Sequence, residues 1–135
     1  MKDILYPMIA LVLWTFAVLL LVPRARFRAA RGRLVRASDF ACGESERVPE
    51  DVRLPNRNYM NLLELPVLFY VACLTLYATG RAEVSTLALA WAFVALRVAH
   101  SLVHLTYNNV LHRMRVFALS VAVLVALWVR IIFLL

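Results

Sequence analysis

The chain has 135 residues, of which 64% are hydrophobic, and a formal net charge of +7 at pH 7. A soluble domain usually holds about 45–50% apolar residues, and here the excess lies in long runs, which excludes an ordinary water-soluble domain. The length fits one domain, residues 1–135. Nucleic-acid binding is not indicated by the positive charge, because most arginines lie in one loop beside a predicted membrane-entering helix.

Four segments are long and apolar enough to cross a membrane. A spanning helix needs roughly 20 mostly apolar residues, because 1.5 Å of rise per residue must cover about 30 Å of hydrocarbon. We therefore predict an all-α, integral membrane four-helix bundle that forms a single transmembrane domain. The predicted helices cover residues of about 4–22, 59–79, 84–107 and 114–134.

The first connection, residues 24–57, carries most of the arginines. Arginine alternates with apolar residues from Arg24 to Val35, which favours a helix that continues into, or lies along, the headgroup region. From Ser38 to Pro55 the residues are turn-forming, and we predict a loop there. Arginine accumulates on the cytoplasmic side of membrane proteins, so this connection is predicted to be cytoplasmic and both termini to lie on the other side.

The remaining helices have recognisable ends. Pro55 and the residues after it form a start signal for the second helix, with Asn56 or Asn58 as its cap, and Gly80 ends it. Ser85 is a candidate cap for the third helix. Neither cysteine is predicted to form a disulfide, because one lies in the cytoplasmic loop and the other inside a helix.

Two stripes of polar residues mark the second and third helices. On the second helix the stripe consists of Arg57, Asn61 and Glu64, and on the third it consists of Arg97, His100, Ser101, His104 and Asn108. Each series repeats at helical spacing, so its members share one face. Both stripes lie toward the cytoplasmic halves of their helices, and we expect them to meet in a polar cavity to which Arg113 belongs.

Ionisable side chains inside a membrane are costly, which makes this cavity a functional-site hypothesis. A simpler interpretation is that a buried pair of Glu64 and Arg97 holds the helices together, with the other polar groups bonded between helices. Another is a metal site formed by His100, His104 and Glu64, because imidazoles four residues apart on a helix can share an ion. No cysteine or further carboxylate supports that site, and we predict no bound metal.

The segment 57–70, with Asn61 and Glu64 ahead of Pro66, resembles the second helix of the MAPEG family, the membrane-associated proteins in eicosanoid and glutathione metabolism. The segment 97–101 and the residues 107–113 are similar to that family's third helix and the turn after it. The likeness is greatest to small bacterial members and extends from about residue 57 to the C-terminus.

The resemblance implies a homotrimer in a membrane, most simply the bacterial inner membrane, that binds glutathione as co-substrate between subunits near the cytoplasmic face. The implied activity is that of a glutathione-dependent transferase or peroxidase acting on a hydrophobic small molecule. The resemblance implies that Asn61, Glu64, Arg97 and His100 bind glutathione. We add Arg57 and His104 to the predicted binding residues because they lie on the same two polar stripes. Arg113 is the first candidate for stabilising the reactive thiolate and Ser101 the second.

Three features depart from the family pattern, one being that Pro66 lies two residues after Glu64, closer than in several relatives. His104 stands where many members have a tyrosine, and Met114 stands where some catalytic members have a hydroxyl. The alternative function is therefore a non-catalytic lipid-binding or scaffold protein of the same fold.

Overall fold

The computed structural model describes residues 2–135, and all regular structure in that range is helical. The five α-helices are α1 (Leu5–Arg31), α2 (Glu50–Glu64), α3 (Pro66–Thr79), α4 (Val84–Leu105) and α5 (Val110–Leu134), with short 3₁₀ turns at Lys2–Ile4 and Ala37–Phe40. They provide four segments that are long and apolar enough to cross a membrane, because α2 and α3 together form one of them. The predicted all-helical membrane fold is thus confirmed.

Helix α1 is longer than its apolar part. It continues through Pro23 to Arg31, as the alternation of arginine with apolar residues indicates, and the chain turns away at Arg33, which has a left-handed φ of 56°. The apolar stretch from Leu5 to Val22 rises about 27 Å at 1.5 Å per residue, close to the thickness of a bilayer core. The arginines that follow Pro23 therefore begin at the edge of the hydrocarbon.

The connection between α1 and α2 is folded. Its buried core contains Val35 and Val48 together with Ala25 and Ala29 of α1 and Val52 of α2. Because of this packing, α2 begins at Glu50, directly after Pro49. The prediction of a loop reaching Pro55 was therefore wrong at its end, and so was the prediction that an asparagine at position 56 or 58 caps the helix. We call residues 32–49 the cap.

The second membrane span is interrupted at Leu65, between α2 and α3. Pro66 has no N–H to donate to the carbonyl of Leu62, which interrupts the helical hydrogen bonds. Leu65 nevertheless keeps helical dihedral angles (φ −57°, ψ −39°), so α3 follows α2 without a loop between them. Gly80 ends the span in the left-handed conformation (φ 68°), as the sequence predicts.

Apolar side chains at the centre of the bundle hold the helices together. Phe69 of α3 and Phe93 of α4 are fully buried, and their rings stack with centroids 4.6 Å apart. At the end of the bundle opposite the cap, the guanidinium of Arg130 binds the carboxylate of Glu83 at 2.9 Å, which fixes the end of α5 to the start of α4. Helix α4, the third predicted span, has Glu83 as its N-cap, and the backbone N–H of Glu83 donates to the hydroxyl of Thr86. The predicted cap, Ser85, lies inside the helix.

Candidate functional site

A cavity of about 760 Å³ lies between α2 and the neighbouring ends of α4 and α5. Its wall is formed by Glu50, Leu54, Asn56, Arg57, Met60, Asn61, Glu64, His100, His104, Asn108, Val110, Arg113, Met114 and Phe117. Ligand pockets typically have volumes of about 300–1,000 Å³, with a few polar groups on an apolar wall. The cavity has both the size and the mixed lining of such a pocket.

Helix α2 contributes one continuous face to the cavity. Glu50, Leu54, Arg57, Asn61 and Glu64 follow one another at intervals of four and three residues, which places them on one side of a helix. The amide nitrogen of Asn61 donates to the carbonyl of Arg57 at 3.0 Å, so the side chain of Asn61 is held against its own helix. Its amide oxygen remains available to accept a hydrogen bond.

Glu64 is the carboxylate at the membrane end of this face. Its side chain is exposed in the single chain and forms no ion pair within residues 2–135. The interpretation that a Glu64–Arg97 ion pair merely joins two helices is therefore not supported by the geometry. The carboxylate lines the cavity instead, where it can accept a hydrogen bond from a cationic group of a ligand.

Only part of the predicted stripe on α4 lines the cavity, and the rest is buried between the helices. His100 and His104 line the cavity, with ring centroids 6.0 Å apart. Their Nδ1 atoms are buried and have no hydrogen-bond partner within residues 2–135. No three histidine, cysteine or carboxylate side chains in that part of the chain are grouped closely enough to hold a metal ion.

Arg97 and Ser101 do not line the cavity. The side chain of Arg97 is fully buried, and its Nη2 atom donates to the backbone carbonyl of Asn61 at 2.7 Å. The hydroxyl of Ser101 donates to the amide oxygen of Asn58 at 3.2 Å, between α4 and α2. Both residues thus join α4 to the helix that carries Asn61 and Glu64. Their contacts are those of positioning residues.

Arg113 is held in the cavity wall by the turn between α4 and α5. Its Nη1 atom donates to the side-chain oxygen of Asn108 at 2.7 Å. Asn108 has a left-handed φ of 45°, a conformation in which asparagine is enriched. Asn109 caps α5 by accepting from the backbone N–H of His112 at 3.1 Å. The turn therefore fixes where α5 begins and where the guanidinium lies.

Several residues of the cavity wall, and one buried residue of α2 beside it, were not among the predicted site residues. Glu50 and Leu54 precede Arg57 at helical spacing. The predicted second helix began after them, so their place on the same helical face was not predicted. Asn58, read only as a candidate cap, is fully buried and binds Ser101. Phe117 of α5 lies 5.8 Å from the ring of His100 and 5.6 Å from the guanidinium of Arg97, measured to ring centroids.

The sequence model of the MAPEG family matches residues 4–133 of the 135 residues. No curated protein matches the sequence, and no solved structure matches it either. The match covers every residue of the cavity wall and all but the outermost residues of the four membrane spans. Together with the four-helix membrane architecture, it shows that this chain belongs to the MAPEG family.

Proposed function

We propose that this protein is a glutathione-dependent transferase or peroxidase that acts on hydrophobic molecules dissolved in the membrane. The observation that carries this proposal is that α2, α4 and α5 line one cavity with Arg57, Asn61, Glu64, His104 and Arg113. The family to which the chain belongs includes glutathione-dependent enzymes. Glutathione is a tripeptide with two carboxylates, one ammonium group and one thiol, and the cavity contains groups suited to each.

The polar groups of the cavity complement those of glutathione. The carboxylate of Glu64 suits the free ammonium group, and the guanidinium of Arg57 suits a carboxylate, in the bidentate geometry that arginine favours. The free amide oxygen of Asn61 can accept a peptide N–H. Apolar residues of the same wall, Met114 and Phe117, provide a surface for a hydrophobic second substrate.

The proposed chemistry begins with the glutathione thiol. A thiol is only a few per cent ionised near neutral pH, and the thiolate is the nucleophile, so a positive charge beside the sulfur raises the reactive fraction. Arg113 supplies that charge, and the thiol proton passes to solvent. In the transferase reaction the sulfur forms a bond to an electrophilic carbon as the leaving group departs with its electron pair.

The peroxidase reaction uses the same thiolate. The sulfur attacks one oxygen of a hydroperoxide, the O–O bond breaks, and the departing oxygen takes a proton to give an alcohol. The resulting sulfenic acid condenses with a second glutathione to give glutathione disulfide and water. Both reactions need a polar thiol and an apolar partner to meet at one place, which is why the enzyme would lie in a membrane with its cavity near the cytoplasmic face.

We further propose that the protein functions as a homotrimer, with each glutathione lying between neighbouring subunits. In a single chain, Glu64 and the apolar side chains beside it on α2 and α3, Leu63, Val67 and Leu68, are exposed. A neighbouring subunit would cover that surface and close the cavity. The mass of the purified complex in detergent, corrected for bound detergent, tests this part, and a single chain of 15.4 kDa would contradict it.

Glutathione binding can be tested with two matched substitutions. Glu64→Gln removes the cavity carboxylate at nearly constant shape, and a hydrogen bond to a charged group contributes about 1.5–3 kcal/mol, so glutathione affinity should fall roughly tenfold or more. Glu46→Gln makes the same change at an exposed residue of the cap and should leave affinity unchanged. Calorimetric titration of glutathione into solubilised protein measures both. Equal affinity in the two variants would refute the site.

A second candidate function is supported by the cavity lining. None of the wall residues carries a hydroxyl, and Met114 lies beside Arg113. A non-catalytic protein that binds a hydrophobic ligand does not need a hydroxyl group that donates a hydrogen bond to the sulfur of glutathione. It would bind such a ligand without consuming it when glutathione is added, whereas the enzyme would form a conjugate or reduce a hydroperoxide.

A further inference from the structure

A second polar surface lies on α1, where the helix leaves the membrane. Arg24, Arg28 and Arg31 are spaced four and three residues apart, so they share one face of the helix. With Phe27 they line a depression of about 500 Å³, and Arg24 and Arg28 also border a groove of about 420 Å³ between α1, the start of α2 and the end of α4. We call these four residues the α1 arginine face.

The charge of this surface is mostly unneutralised. Arg24 and Arg31 are exposed and form no hydrogen bond or ion pair within residues 2–135. Arg28 binds the carboxylate of Asp51 at 3.3 Å, and both side chains are well exposed, so this pair is weak. By contrast, nearby Arg26 is paired with Glu44 at 3.1 Å in the cap. The α1 arginine face thus presents excess positive charge, whereas Arg26 does not.

The depth of the surface matches that of a lipid phosphate. Arg24 follows the apolar stretch of α1 by two residues, so it lies where the hydrocarbon ends and the headgroups begin. Below it on the same side of the helix, Leu13, Phe16 and Leu20 are exposed and form a track into the hydrocarbon. A ligand that touched both parts would need a negatively charged head and an apolar tail.

We propose that the α1 arginine face is a binding site for an anionic phospholipid. The phosphodiester lies among the guanidiniums of Arg24, Arg28 and Arg31, and an acyl chain runs along the track of Leu13, Phe16 and Leu20. The single acidic residue at the site, Asp51, accepts hydrogen bonds from headgroup hydroxyls. This site is separate from the cavity described above and does not depend on the proposed glutathione chemistry.

The site can be tested by counting bound lipids. Purified protein in detergent is mixed with equal amounts of phosphatidylglycerol and phosphatidylcholine, and the lipids retained are measured by native mass spectrometry. The wild-type protein should retain phosphatidylglycerol in preference. Arg24→Gln with Arg31→Gln should reduce that preference roughly 30-fold, which corresponds to about 1 kcal/mol for each arginine near an anionic surface.

The matched control removes a charge from the same predicted side of the membrane. Arg115 is exposed at the start of α5 and borders neither the depression nor the groove, so Arg115→Gln should keep the preference for phosphatidylglycerol. An equal loss in this variant would overturn the site, because the preference would then follow total charge alone. Circular dichroism and gel filtration identify any variant that is misfolded, and Arg24→Lys, which keeps the charge, should retain most of the preference.

Two further arms exclude other ligands. Glycerophosphoglycerol has the headgroup without acyl chains and should fail to displace the lipid at concentrations where phosphatidylglycerol does so. If it competes equally well, the surface is a phosphate site and the lipid proposal is wrong. If the double variant loses glutathione affinity and keeps its lipid preference, the arginines serve the thiol ligand and the lipid proposal is again wrong.

Discussion

Arg113 is the residue whose role in the proposed chemistry is most specific. Its guanidinium is fixed by Asn108 at 2.7 Å, so it can be placed against a sulfur without reorganisation. A positive charge within about 4–6 Å commonly lowers the pKa of an acid by 1–3. Arg113→Gln should therefore reduce the reaction rate at neutral pH about tenfold or more, with glutathione affinity little changed.

The pH dependence of the rate separates this role from simple loss of structure. In Arg113→Gln the rate should continue to rise to higher pH than in the wild type, because more alkaline conditions are needed to form the thiolate. Arg113→Lys keeps the charge and should show an intermediate profile. If both variants have the wild-type pH profile and merely lower glutathione affinity, the thiolate role is wrong.

The residues of the third-helix stripe show what sequence spacing can and cannot predict. The spacing correctly placed His100 and His104 on one face with the second-helix residues across from them. It could not separate Ser101 from His100, although neighbouring helical residues point about 100° apart. Arg97 shares the direction of His104 but lies two turns deeper in the bundle. Which of them meets the cavity depends on the position of α2, and sequence spacing does not contain that information.

At the scale of elements, Pro66 interrupts the helical hydrogen bonds directly after the binding face of α2. Pro66→Ala would restore the N–H that can pair with the carbonyl of Leu62, and a proline inside a helix costs roughly 3 kcal/mol. The variant should melt at a temperature equal to or above that of the wild type. It should also bind glutathione more weakly, because the added hydrogen bond would shift Asn61 and Glu64 relative to His104.

Thermal unfolding and calorimetric titration of the same Pro66→Ala preparation test both halves of this prediction. A variant that is less stable and binds normally would contradict it. The sequence revealed Pro66 and its closeness to Glu64. It did not reveal that the backbone at Leu65 stays helical, or that Arg97 of α4 binds the carbonyl of Asn61, a contact between residues 36 positions apart.

The cap is the element that sequence analysis described least well. Its turn is organised by Asp39, whose carboxylate accepts from the backbone N–H of Arg36 at 2.8 Å and from the hydroxyl of Ser45 at 3.0 Å. These two hydrogen bonds, the one from Arg36 first, hold the pKa of Asp39 below its ordinary value. The two donors lie three residues before Asp39 and six residues after it, and such hydrogen bonds cannot be predicted from composition. The segment was therefore predicted as a loop.

The lowered pKa of Asp39 makes the stability of the cap depend on pH. Its contribution is fully present above the pKa of the unfolded state, about 3.9, and is lost as the pH falls through the lower, folded value. The protection of the amide hydrogens in residues 36–45, corrected for the intrinsic exchange rate, should therefore fall once the pH drops below about 3.9. Asp39→Asn should exchange faster already at pH 7, and its exchange should vary less with pH after correction for the intrinsic rate. Unaltered protection in Asp39→Asn would contradict this assignment.

At the scale of the whole molecule, the two ends of the bundle differ in charge. The cap and the end of α1 carry unpaired arginines, whereas at the opposite end Arg130 is paired with Glu83. By the tendency of arginine to remain on the cytoplasmic side, the cap faces the cytoplasm and both termini face away from it. This orientation is a prediction, and the chain has a natural probe for it.

The two cysteines make the test direct. Cys42 is exposed in the cap, Cys73 is fully buried in α3, and both are free thiols. A membrane-impermeant maleimide should therefore label the protein in inside-out membrane vesicles and leave it unlabelled in intact cells. Cys42→Ser should abolish the labelling, which shows that Cys73 does not contribute. Labelling of intact cells would reverse the orientation, and it would place both the cavity and the α1 arginine face on the side of the membrane that lacks cytoplasmic glutathione.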